Sequence, residues 1–273
     1  MPLFHVAVLA VLAGVTEALA VSPSGHGVVA RLWLDPGAVP AKIEAFIALG
    51  AALGLLLAAR RRFAGAIGEG VRAVARPALF GASLPAQDAL TLLVGSTVSV
   101  LVSYVTLPRV SMWMASPTAT GLGLCASGLA LASTGLVARV AGPDGPMSQR
   151  RASLSGAVIV GVAHGLAVFP GASRVGAALT VLLWIGVRPT RAVDLATLLT
   201  VPALLGTFLR GAHAGVGTAT IALTISLAFL GALVAGEVLR GLAFRRRVGV
   251  LALWTIPLGL AMLAYARALP HVD

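Results

Sequence analysis

The segment GVTEALAVSPSGH (residues 14–26) occurs again in altered form as GVAHGLAVFPGAS (residues 161–173). A shift of 147 residues makes six of the thirteen positions identical. A second block follows in the same order, because IEAFIAL (43–49) matches VDLATLL (193–199) after a shift of 150 residues. These two matches predict that a single domain, residues 1–273, consists of two related halves at about 1–140 and 150–273.

The composition indicates that this domain lies in a membrane. Hydrophobic residues make up 58% of the chain and charged residues 11%, with a mean hydropathy of +0.98. Roughly 20 apolar residues are enough for one helical crossing of a bilayer. Nearly uncharged windows of this kind occur at about residues 44–59, 88–107, 118–138, 192–208, 217–238 and 248–266. They lack the alternation of a barrel strand, so their backbone polar groups must be satisfied within helices.

Two further apolar stretches, residues 3–34 and 153–185, are interrupted near their middle by Pro, Gly and Ser. We predict that each enters and leaves the membrane on one face as a re-entrant helical hairpin. Three crossings separate the hairpins, so the second half is inverted relative to the first. The predicted fold is an all-α polytopic membrane protein with six transmembrane helices plus two re-entrant helical hairpins in an inverted-topology repeat. Such repeats build sites near the bilayer midplane.

The formal charge of +11 follows this topology and does not indicate a nucleic-acid surface. With both termini outside and the loops 60–76 and 139–151 inside, arginines concentrate on the cytoplasmic side, as the positive-inside rule requires. The predicted cytoplasmic set is Arg60, Arg61, Arg62, Arg72, Arg76, Arg139, Arg150, Arg151, Arg188, Arg191, Arg240, Arg245, Arg246 and Arg247. The outer set is Arg31, Lys42, Arg109, Arg210 and Arg267. The expected partner is therefore the lipid bilayer, with a homo-oligomer left open.

Polar side chains lie within both broken stretches, at a depth where they are costly unless paired or functional. These residues are Glu17, Ser22, Ser24 and His26 in the first stretch, and His164, Ser173 and Arg174 in the second. Backbone N–H groups at 24–26 and 171–173 are suited to an anion at a helix start. Arg174 offers a planar fork of donors for phosphate oxygens. The set suits phosphoryl chemistry, with Glu17 binding a divalent cation or activating water, and His26 acting as base or nucleophile.

Structural roles compete with these functional ones. We expect Glu17 to be the resting partner of Arg174, and a purely structural ion-pair cluster of these two residues with His26 is the alternative. For His164, hydrogen-bonded packing and phosphate binding stand equally open. Glu44 and Asp194 begin two predicted crossing helices, where a carboxylate is favoured by the helix dipole, and we interpret both as structural.

The segments GVTEALAVSPSGH and PGASRVG (170–176) resemble the undecaprenyl-diphosphatase family, the bacitracin-resistance phosphatases. TLLTVPALLG (197–206) and ALWTIPLGLAML (252–263) fall in the family's order, so the resemblance runs through almost the whole chain. It implies hydrolysis of a C55 isoprenoid diphosphate to the monophosphate and phosphate with a divalent cation, Mg²⁺ or Ca²⁺. It also implies recycling of the cell-wall lipid carrier at a site open to the outer (periplasmic) face of the bacterial cytoplasmic (inner) membrane.

The resemblance carries roles over to matching positions. It implies catalytic roles for Glu17, Ser24, His26 and Arg174, and a metal-binding role for Glu17. It implies substrate or phosphate binding by Ser22, Gly25, His164, Ser173, Arg174 and Gly176.

Several family positions are altered in this chain. Ala13 replaces a first glutamate, Pro23 a central serine, His164 a glutamine, Val175 a serine and Ala178 a hydroxyl residue. These departures leave two alternatives beside the phosphatase: a transporter or flippase of a polyprenyl-phosphate lipid, and a non-catalytic membrane scaffold.

Overall fold

The computed structural model describes residues 3–34, 41–140, 153–211 and 217–269, and this part of the chain is helical without β-strands. Its helices are α1 (Leu3–Ala18), α2 (Pro23–Leu34), α3 (Ala41–Ala58), α4 (Arg60–Ala75), α5 (Leu79–Ala82), α6 (Leu84–Val110), α7 (Pro117–Val140), α8 (Leu154–Leu166), α9 (Arg174–Trp184), α10 (Pro189–Gly211), α11 (Thr218–Phe244) and α12 (Ala252–Ala268). Of the predicted topology signals, Arg150, Arg151 and the side chains of Lys42 and Arg139 lie outside this description.

All six predicted crossing windows fall on helices, namely α3, α6, α7, α10, α11 and α12. Within the described ranges, five helices are long and apolar enough to cross a membrane, and a sixth is reached if α3 and α4 count as one bent span. The segment 60–76, predicted as a loop, is instead mostly the helix α4, which is bent by 79° from α3. It buries Ala66 and Ala73 and leaves Val71 and Val74 exposed, so it is an amphipathic helix rather than a loop.

The two interrupted stretches form paired helices, α1 with α2 and α8 with α9. In the first turn, Ala20 and Ser22 have φ angles of 64° and 75°, and Pro23 then begins α2, where a missing N–H costs no hydrogen bond. In the second turn, Gly171 has a φ of 76°. A side chain at Gly171 would also collide with the Thr120 carbonyl of α7, so glycine is required there for both reasons.

Small residues allow each hairpin to approach a long helix closely. Gly14 of α1 lies against the Ala228 backbone of α11. Its repeat counterpart Gly161 of α8 lies against α6, where an added Cβ would be 2.6 Å from the Gly95 carbonyl oxygen. Close contact through small residues is a usual basis of helix packing in membranes. The hairpins are therefore held by backbone-to-backbone packing on α11 and α6.

An ion-pair network joins the ends of four helices on the predicted cytoplasmic side. Arg62 of α4 contacts Asp88 of α6 at 2.7 Å and Asp194 of α10 at 2.9 Å. Arg191 contacts Asp88 at 2.6 Å, and Arg240 of α11 contacts Asp194 at 2.6 Å. Asp194 is thus structural, as expected, but the reason differs from the prediction. It lies beyond the first turn of α10, and arginine side chains rather than the helix N-terminus compensate its charge.

Candidate active site

The two hairpins meet at a cavity of about 340 Å³. Polar side chains of α1, α2, α3, α9 and α10 line it: Glu17, Ser24, Arg31, Glu44, Arg174, Thr207 and Arg210. Arg31, Glu44 and Arg210 lie near the helix ends that the charge distribution assigns to the outer side. The remaining lining residues are mostly apolar, so the charged side chains form one cluster within an otherwise apolar cavity.

Glu17 and Arg174 line the same cavity from opposite hairpins. The predicted resting ion pair between them is absent, since the ion pairs formed by the described residues, with N···O up to 4.0 Å, do not include these two. The Arg174 guanidinium forms no hydrogen bond within the described part of the chain, although the residue is only partly exposed. Its donors and the nearby carboxylate are therefore directed into the cavity.

Ser24 is the hairpin hydroxyl that reaches the cavity. Its Oγ accepts a hydrogen bond from the Gly171 N–H at 3.2 Å, which ties the two hairpin turns together. Ser22, by contrast, is fully buried, and its Oγ accepts from the Gly25 N–H at 3.1 Å. The two hydroxyls are 3.2 Å apart. Of the serines that flank Pro23, Ser24 is the one a ligand in the cavity can contact.

Five of the six backbone amides expected to bind an anion donate within the protein instead. Besides the Gly25 and Gly171 amides, the Ser173 N–H donates to Ser127 Oγ at 2.9 Å and the Gly176 N–H donates to Ser173 Oγ at 3.0 Å. Ser173 is thereby the N-cap of α9. None of Ser22, Gly25, Ser173 and Gly176 lines the cavity, so these residues shape the turns that carry Ser24 and Arg174. Phosphate contact by them stays a prediction.

Neither His26 nor His164 lines the cavity that contains Glu17. The indole N–H of Trp254 donates to His26 Nε2 at 2.8 Å, so the ring proton is on Nδ1, which donates to the Ser22 carbonyl at 2.8 Å. His164 is 1% exposed. Its Nδ1 and Nε2 contact hydroxyl groups of α6 and α10 at 2.7 and 3.0 Å. His164 thus has the contacts of a packing residue, and phosphate binding by it stays a prediction.

Three residues of the cavity had been interpreted only as topology signals or structural carboxylates. Arg31 and Glu44 pair at 2.8 Å, and Arg210 donates to Thr207 Oγ1 at 3.3 Å. The sequence carried one signal for Arg210, because the repeat shift of 150 residues aligns it with Arg60. Arg174 and Arg210 are the cavity cations without an acidic partner among the described residues.

This geometry defines a class: a helical membrane protein in which two broken helical segments enclose a polar cavity that suits an anionic headgroup. The family model described as "Bacitracin resistance protein BacA" matches residues 6–261. The chain therefore belongs to the BacA family, and it is a multi-pass membrane protein.

The curated relatives that the chain matches are named undecaprenyl-diphosphatase. The chain is 31% identical over 205 residues to an undecaprenyl-diphosphatase of Korarchaeum cryptofilum, covering 73% of each chain. It is 31% identical over 227 residues to an undecaprenyl-diphosphatase of Salinibacter ruber, covering 80% of this chain and 81% of the relative. It is also 31% identical over 201 residues to one of Sphingopyxis alaskensis, covering 72% and 71%. These relatives are named for an enzyme activity, and they give no support to the transporter or scaffold alternatives.

Proposed function

We propose that this protein hydrolyses a polyprenyl diphosphate, the C55 undecaprenyl diphosphate, to the lipid monophosphate and inorganic phosphate. The observation that carries the proposal is the cavity that Arg174 and Glu17 both line, from opposite hairpins, without forming an ion pair with each other. A guanidinium at membrane depth that has no ion-pair or hydrogen-bond partner among the described residues is costly unless an anionic ligand compensates it. Membership of a family whose curated relatives are undecaprenyl-diphosphatases supports the same substrate.

The cavity residues divide naturally between binding and chemistry. Arg174 can hold two phosphate oxygens with its planar fork, and Arg210 at the rim adds a second positive charge for the diphosphate. The Ser24 hydroxyl can donate a further hydrogen bond to a phosphate oxygen. These donors face the charge that grows on the phosphate group during reaction, which is where stabilisation lowers the barrier.

Glu17 is the cavity carboxylate that is not already paired with an arginine, so we assign it the role of general base. A water oxygen forms a bond to the terminal phosphorus, and the bond from that phosphorus to the bridging oxygen breaks. Glu17 accepts the proton of the attacking water. The bridging oxygen stays with the lipid monophosphate, and inorganic phosphate leaves into the cavity.

The residues present suit a divalent cation only if the substrate shares in binding it. Among the described residues, no group of three or more His, Cys, Asp or Glu side chains is arranged to hold a metal ion. Ala13, which stands where the family has a glutamate, lines the cavity together with Glu17. Mg²⁺ is commonly held by one or two carboxylates and substrate phosphates, so Glu17 with the diphosphate would hold it. When bound, the cation would neutralise diphosphate charge.

The orientation and symmetry belong to the same proposal. We place the cavity on the outer side of the bacterial cytoplasmic membrane, because Arg31 and Arg210 lie at its mouth while the denser arginine clusters lie at the other end of the helices. We also propose that residues 1–140 and 150–273 are inverted repeats. The matching contacts of Gly14 with α11 and Gly161 with α6 support this relation.

A pair of carboxylate variants tests the activity. Glu17→Gln removes the proposed base and should reduce phosphate release from a polyprenyl diphosphate by roughly 100-fold, the lower end for removing a positioned acid–base group. Glu44→Gln is the matched control, because it also lines the cavity but is paired with Arg31. It should keep most of the activity. If Glu17→Gln also kept most of the activity, Glu17 would have no part in the reaction.

A further inference from the structure

A second cavity, of about 520 Å³, lies between α2 and α12. Its walls are apolar and aromatic except at His26, and they include Leu12, Val29, Trp33, Trp254, Leu258 and Tyr265. On α12 the cavity extends from Trp254 to Tyr265, which at 1.5 Å per residue is about 16 Å along the helix. We call this cavity the α2–α12 groove.

The α2–α12 groove opens at the surface of α12, one of the helices that are long and apolar enough to cross a membrane. Trp33 is 87% exposed and Trp254 is 59% exposed, and both rings border it. The one polar atom of the Trp254 ring is already used, because its N–H donates to His26 Nε2. What the ring presents to the groove is therefore apolar carbon. An occupant of the groove has to be a hydrocarbon rather than a headgroup.

The groove lies next to the polar cavity. Leu12 of α1 lines both. Helix α2 separates them and contributes to each, with Ser24 and Arg31 on the side of the polar cavity and His26 and Trp33 on the side of the groove. A molecule with a charged head and an apolar tail can thus have each part beside a wall of matching character.

We propose that the α2–α12 groove binds the isoprenoid chain of the substrate while its diphosphate occupies the polar cavity. This inference rests on the proposed function and adds the location of the chain. The groove buries apolar chain next to the reacting group, so binding energy from the chain serves to orient the diphosphate. Trp254 has two parts in this, as a groove wall and as the residue that fixes the orientation of His26.

The test uses two substrates that differ only in chain length. Leu258→Trp fills the groove, and Leu253→Trp is the matched control on the same helix, 76% exposed and outside the groove. With a long-chain polyprenyl diphosphate, Leu258→Trp should raise KM by roughly tenfold, the low end of discrimination by an apolar pocket. With dimethylallyl diphosphate, whose C5 chain is too short to fill the groove, the KM of the variant should equal that of the wild type. Ala261→Leu is a smaller change of the same kind if the Leu258 variant does not fold.

Two results with the active enzyme would overturn the inference, and a binding assay decides if the enzyme is inactive. A Leu258→Trp protein with unchanged KM for the long-chain substrate places the chain elsewhere. An equal rise in KM for both substrates indicates a general distortion of the polar cavity. If the wild type hydrolyses neither substrate, the proposed function fails, and the groove is then judged by binding of a long-chain polyprenyl monophosphate. Weakening of that binding by Leu258→Trp, without weakened binding of phosphatidylglycerol, supports the groove, whereas equal weakening of both makes it a general lipid site.

Discussion

Replacing Arg174 with lysine separates a ligand-binding arginine from a structural one. The substitution keeps a positive charge in the cavity, so the electrostatic balance with Glu17 is preserved. It removes the planar fork, which presents five N–H donors in fixed geometry, and substitutes a compact ammonium with three. Because the guanidinium has no hydrogen-bond partner among the described residues, the change breaks no protein contact there.

The expected effect on turnover follows from what the fork is proposed to contact. Loss of one preorganised donor to transition-state charge typically costs about 100- to 1,000-fold in rate. We therefore expect Arg174→Lys to lower kcat/KM for a polyprenyl diphosphate by roughly 100-fold or more. Arg210→Lys is the comparison, because Arg210 is exposed at the rim and already donates to Thr207. An exposed charge contributes about 1 kcal/mol or less, so that variant should lose roughly fivefold at most.

Phosphate release per folded molecule is the assay, with folding judged by size-exclusion profile and thermal midpoint in detergent. The thermal midpoint of Arg174→Lys should match the wild type. A variant that fails to accumulate in the membrane, yet has normal activity per folded molecule, would make Arg174 a structural residue. The proposed phosphatase site would then lack its main phosphate-binding cation.

Three more substitutions address the metal, the topology and the packing. Ala13→Glu adds a second carboxylate beside Glu17, so the Mg²⁺ or Ca²⁺ concentration for half-maximal activity should fall several-fold, and an unchanged requirement would argue against a metal at Glu17. In a background without other cysteines, Arg72→Cys should react with an impermeant maleimide only from the cytoplasmic side, and labelling from outside would contradict the inverted repeat. Gly123→Ala should destabilise the protein by about 1–3 kcal/mol, because its Cβ would collide with the Pro170 carbonyl. Gly135→Ala on the same helix has open space and should cause no such loss in a thermal denaturation series.

The helices were predictable because each crossing is a long apolar window, and the broken stretches were predictable from Pro, Gly and Ser within them. Helix α4 was missed because Arg60, Arg61 and Arg62 were interpreted only as topology signals. Their apolar neighbours follow a helical period, with Val71 and Val74 on one face. Amphipathic periodicity was the signal that the charge count obscured.

The members of the candidate site were predictable only in part. The repeat brought attention to Glu17, Ser24 and Arg174, and the structure brings these three to one cavity. The hydrogen bond from Trp254 to His26 joins residues 228 positions apart, and a local sequence pattern cannot predict such a contact. In the turns, backbone N–H groups that were predicted to bind an anion donate to serine hydroxyls instead. The geometry of the turn decides which N–H groups are available, and the sequence does not specify it.

The most direct measurement of the central claim is phosphate release by the purified protein in proteoliposomes that contain a long-chain polyprenyl diphosphate. The account predicts one inorganic phosphate per lipid, lipid monophosphate as the other product, a rate that increases with Mg²⁺ or Ca²⁺, and loss of that rate in Glu17→Gln. A correctly folded wild-type protein that releases no phosphate with either cation would contradict it.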